Sequence, residues 1–128
     1  MSADINLFAG WIGMLAGVIS GAIIGMNFHK DSWMGGYGSF SRRLTRLGHI
    51  SFFGLAFINL LYGFTLNQIN ISITYISVAS ISFIVGAVTM PICCFLAAWK
   101  KIFVYLFPIP VLAVLTGILI VVFGWPIK

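Results

Sequence analysis

Four long apolar runs, none containing an Asp, Glu, Lys or Arg, constrain this chain more than any other feature. They are Ile5–Phe28, Leu47–Leu66, Ile71–Trp99 and Ile102–Trp125. A helix crosses a hydrocarbon core about 30 Å thick with about 20 apolar residues, so each run is long enough for one crossing. The expected fold is an all-α integral membrane protein, a single four-transmembrane-helix bundle occupying all 128 residues. Only 7% of the residues are charged, against about 25% in soluble domains, so most of the surface cannot face water. The first run is expected to be a retained helix and not a cleaved secretory signal. It lacks a basic leader, Asp4 being the only charge before it, and it exceeds the roughly 7–15 apolar residues of such signals.

The basic residues predict an orientation. Lys30, Arg42, Arg43 and Arg46 fall between the first two runs, Lys100 and Lys101 fall between the last two, and only Lys128 lies at the opposite end. Cytoplasmic loops are enriched in Lys and Arg, which predicts an N-out/C-out topology with both basic loops cytoplasmic. Trp33, Tyr37, Trp99 and Tyr105 then mark the inner boundary, and Tyr62, Tyr75 and Trp125 the outer one, where amphipathic rings prefer to sit. A bacterial inner (cytoplasmic) membrane suits this layout. The net charge of +5 is explained by the same loops meeting anionic lipid headgroups, and no nucleic-acid partner is expected.

Gly13, Gly17, Gly21 and Gly25 recur every fourth residue along the first run, with Gly10 just before them. At helical spacing they form one smooth stripe, the kind of surface that lets helices approach closely in lipid. The expected occupant is another helix of this chain, a second copy, a partner subunit, or a flat cofactor or lipid tail. Asn59 is the most deeply placed strongly polar side chain, and a buried amide in a membrane bonds across to a neighbouring helix. Pro91 is expected to kink the third helix, with Thr89 helping to satisfy the freed backbone groups. Phe107-Pro108-Ile109-Pro110 marks a bend, so the fourth helix could begin near Val111. Adjacent Cys93 and Cys94 point about 100° apart on a helix, which disfavours a disulfide between them; they read as two small buried residues.

The sharpest candidate site is the pair His29 and His49. His29 closes the first run and His49 is expected one turn into the second, which would place both imidazoles at similar depth. Two His on two helices can supply both axial nitrogens of haem b iron, and Arg42, Arg43 and Arg46 would meet its propionates. A single His holding a porphyrin or bonding a quinone carbonyl is an alternative, and a purely structural pair another. No Asp or Glu lies inside a run, which disfavours proton-coupled carriers. No P-loop, metal cluster or Ser/His/Asp set is present either, so an enzyme acting alone is not expected.

The segment Arg43-Leu-Thr-Arg46-Leu-Gly-His49 resembles the Arg-x-x-Arg-Ala-His-x-Asn element of the membrane-associated proteins of eicosanoid and glutathione metabolism, which are trimeric four-helix enzymes. Gly48 stands where that element has Ala, Ser51 where it has Asn, and no Glu adjoins the segment. The glutathione-binding residues therefore have no counterparts, and that activity is not carried over. The functional expectation is a small subunit working with other membrane protein subunits in an energy-transducing complex that handles electrons or quinones. The alternatives are a purely structural or assembly subunit without cofactor, and a homo-oligomeric channel or transporter.

Overall fold

The structure, a computed structural model, describes residues 3–126. Four α-helices follow one another: α1 (Ala3–Asn27), α2 (Phe40–Thr65), α3 (Ile73–Trp99) and α4 (Pro108–Phe123). Short 3-10 turns at Trp33–Gly35, Leu66–Gln68 and Lys101–Leu106 lie between them, and no strand occurs among the described residues. All four spans are long and apolar enough to cross a membrane.

Two boundaries differ from the hydropathy reading for local chemical reasons. α2 starts at Phe40, seven residues before Leu47. Ser39 caps it, its Oγ accepting the Arg42 N–H at 3.1 Å, which satisfies one of the donors that a helix start leaves orphaned. The same hydroxyl donates to the Met34 carbonyl at 2.6 Å. It thereby closes a turn in which Met34, Gly35 and Gly36 all have positive φ (53°, 84° and 94°). Arg42, Arg43 and Arg46 therefore belong to the first two turns of α2 and not to a loop. α4 starts at Pro108, where Pro108 and Pro110 occupy a first turn whose N–H groups have no helical partner to lose. Its 16 residues span roughly 24 Å, and together with the 3-10 stretch before it they make an apolar span of 23 residues.

α3 runs through Pro91 as one helix. Thr89 Oγ1 donates to the Val85 carbonyl at 2.7 Å, within its own turn, and not to the Ala87 carbonyl that Pro91 leaves without a donor. The rescue expected of Thr89 is therefore not made.

The helices pack in chain order, α1 on α2, α2 on α3 and α3 on α4, with slight contact between α1 and α3. α2 and α3 form the middle, while α1 and α4 are mostly exposed. Small residues sit at each seam. Gly10, Gly13, Gly17 and Gly21 face Leu60, Ala56, Phe53 and His49 of α2 in turn. A Cβ at Gly10 would lie 2.6 Å from Leu60 Cγ, and one at Gly17 would lie 2.7 Å from the Phe53 ring. α2 comes this close because those Cβ atoms are missing. The occupant of this part of the stripe is thus a helix of the same chain. Gly25, beyond it, has nothing within 4 Å of its Cβ position. Gly48 receives Phe95 and Cys94 of α3, and Gly117 receives Phe83. Cys93 and Cys94 are buried and unbonded to each other.

Near the end where the chain's described termini lie, three helices are tied by side-chain polar groups. Asn6 Nδ2 donates to Asn59 Oδ1 at 2.8 Å and to the Ser80 carbonyl at 3.3 Å. Asn59 Nδ2 donates to the carbonyls of Leu55 at 2.9 Å and Phe83 at 3.2 Å. Ser80 Oγ donates to Asn6 Oδ1. All three side chains are essentially fully buried, and every amide hydrogen and oxygen among them has a partner. Tyr62 adds a bond from its hydroxyl to the Ile76 carbonyl at 2.6 Å and packs with Ile69, Ala79 and Phe83 in a small apolar core.

Candidate functional site

The opposite end of the molecule gathers the basic loops. Because α2 begins at Phe40, the Arg42 side chain reaches back beneath the end of α1. It is 1% exposed. One guanidinium nitrogen donates to the Phe28 carbonyl at 2.9 Å and the other to the carbonyls of Lys30 and Asp31 at 3.4 Å. A cation at a helix C-terminus meets the negative end of the helix dipole, and these carbonyls follow directly on the last turn of α1. The rings of Phe28, Trp33 and Tyr37 stand 4.9, 5.5 and 5.1 Å from the guanidinium carbon, within the range of cation–π attraction. Arg42 Nε is buried without a partner. Arg42 therefore clasps the α1–α2 connection.

The other two arginines are placed differently. Arg46 lies over the Tyr37 ring at 4.8 Å, and Arg43 is exposed. From the far loop, Lys101 Nζ lies 5.6 Å from the centre of the Phe40 ring, which brings both connections to one end of the bundle.

His49 is the tenth residue of α2, roughly 13 Å from its start, and not one turn in as expected. Its ring lies on the backbone of α1, so that a Cβ on Gly21 would stand 2.6 Å from His49 Cε1. Phe53 closes one side edge-on, with ring centres 5.5 Å apart. Ser20 Oγ donates to the Gly17 carbonyl at 3.0 Å and is 3.1 Å from His49 Nδ1. A hydroxyl has one proton, so both bonds form together only when Nδ1 carries a hydrogen and donates to Ser20. In the neutral ring Nε2 then bears the lone pair, and no side chain among the described residues bonds to it. Ser20 also lines an apolar groove of about 540 Å³ with Ile19, Ile23, Trp33, Phe52 and Phe95.

His29 is exposed in the turn after α1. It stands eight residues beyond Gly21, the level of His49, which is roughly 12 Å along a helix. Two imidazoles that share one iron approach it from opposite sides, and here they start from different levels of the bundle. Arg42 is equally unsuited to a propionate, since its outer nitrogens are used on carbonyls and its face is closed by rings. Neither the level of His29 nor the packing of Arg42 supports the haem b expected between His29 and His49. Among the described residues there is also no group of three or more His, Cys, Asp or Glu able to hold a metal ion.

What the sequence reading missed is Ser20 as the partner of His49, and Asn6 as the partner of Asn59. Ser20 was legible as the hydroxyl next to Gly21 on the glycine stripe, once α2 is taken to pack there. No protein-family model, curated protein or solved structure matches this chain.

Proposed function

We propose that this chain is a small integral membrane subunit of a larger quinone-linked assembly, and that His49 is its contact with the quinone headgroup. One observation carries the reading. Among the described residues, His49 alone of the Asp, Glu, Lys, Arg and His side chains lies deeper than the first two turns of any span, with one nitrogen pinned by Ser20 and the other unspent. Ionisable groups inside a membrane are costly and mark functional sites. An Nε2 lone pair accepts a hydrogen bond from a quinol hydroxyl, and the isoprenoid tail lies along the surrounding apolar helix faces. The exposed flanks of α1 and α4 suit docking to other membrane subunits. The basic end faces the cytoplasm by the positive-inside bias, in a bacterial inner membrane.

The test is a titration of the purified full chain in detergent with a short-tailed quinol, read by quenching of tryptophan fluorescence. Saturable binding is expected, lost in His49→Phe and retained in His29→Ala. Binding no stronger than partition into empty micelles, or binding that survives His49→Phe, overturns the assignment. A subunit that binds no quinol but purifies with other membrane proteins would be a packing subunit.

A further inference from the structure

A second groove at the basic end, of about 440 Å³, is lined by Phe40, Lys101, Ile102, Val104 and Tyr105. We propose that an anionic phospholipid occupies it, with its phosphate between Lys101 and Arg43 and an acyl chain along Ile102, Val104 and Tyr105. Lys101 stands over Phe40, and Arg43 follows Phe40 by three residues, so the two share a face of α2. Lys101 thus stands at the Phe40 ring, and Arg43 lies about one turn further along the helix that carries that ring. No carboxylate among the described residues pairs with either; the same end carries Lys30, Arg42, Arg43, Arg46, Lys100 and Lys101 against a single acid, Asp31.

The apolar half of the site is as open as the charged half. Ile102 is 63% and Tyr105 80% exposed, on the 3-10 stretch that carries the chain from α3 into α4. A free phosphate would satisfy the cations and leave this surface bare. A ligand that joins an anion to a hydrocarbon chain satisfies both, and at the edge of a bilayer that ligand is a phospholipid. The site does not depend on His49, so its failure and the failure of quinol binding are separate results.

Native mass spectrometry of the full chain, released from micelles containing equal amounts of phosphatidylglycerol and phosphatidylcholine, tests this. One phosphatidylglycerol is expected to stay bound in preference to phosphatidylcholine, and not to be displaced by excess inorganic phosphate. Arg43→Gln and Lys101→Gln should each weaken retention roughly fivefold, and the pair about twenty-five-fold. Lys30→Gln, in the other loop, should leave it unchanged. Equal retention of the two lipids, displacement by inorganic phosphate, or full retention in the double variant would overturn the proposal.

Discussion

The two ends of the bundle handle buried polarity in opposite ways. At the end holding the described termini, Asn6, Asn59 and Ser80 form a closed set in which every side-chain donor and both amide oxygens are used. At the basic end the polar groups are left with something over: a bare, buried Nε on Arg42 and exposed cations beside an apolar groove. A closed polar set rigidifies and specifies a structure, whereas an unsatisfied group inside a protein is costly. The comparison teaches that the first end holds three helices in register, whereas the second keeps cations that no carboxylate among the described residues pairs with.

The largest effect expected from breaking this contrast is at Arg42. Arg42→Gln removes the charge, the three bonds to carbonyls and the occupant of the aromatic box. A loss of at least about 3 kcal/mol is expected, read as denaturation of the chain in mixed micelles, while Arg43→Gln changes stability little. Next comes Gly21→Ala, whose Cβ has no room unless the His49 ring moves. It should cost about 1–3 kcal/mol and weaken quinol binding in the same protein. At the closed end, Asn6→Leu leaves Asn59 Oδ1 unpaired and should cost about 1–2 kcal/mol. A double-mutant cycle with Asn59→Leu then measures their coupling, and additive effects would mean that the pair is not a unit. Ser20→Ala should change stability by less than about 1 kcal/mol yet weaken quinol binding about tenfold, because it frees the imidazole to take the other tautomer. Smallest is Gly25→Ala. With open space around it, that change should be neutral or stabilise by up to about 1 kcal/mol, and destabilisation would mean that a partner helix packs there.

The four spans were legible because some 20 apolar residues without a charge have few other uses. Asn59 was legible for a related reason, as a lone amide far from either end of its run. Asn6 was not, since polar residues near a helix start, here next to Asp4, ordinarily face headgroups or water. The arginines misled the reading of α2. Three cations in seven residues look like a loop to a hydropathy scale, and the cap at Ser39 that places them on a helix is a local hydrogen-bond feature. That shift of seven residues puts His49 in the third turn of the helix and not in its first. Nor does the sequence distinguish Arg42 from Arg43, which differ only in which way the helix turns them.

The burial of Arg42 bears on how the chain enters a bilayer. Its partners are the carbonyls of Phe28, Lys30 and Asp31 and the rings of Phe28, Trp33 and Tyr37, all of them synthesised before it. A nascent α1 released alone into lipid would carry an uncapped end, and α2 arriving alone would carry a guanidinium without its shelter. The first two helices therefore form one hairpin whose joint is complete only once Arg42 is in place. The stretch between α3 and α4 has no buried cation of this kind among the described residues.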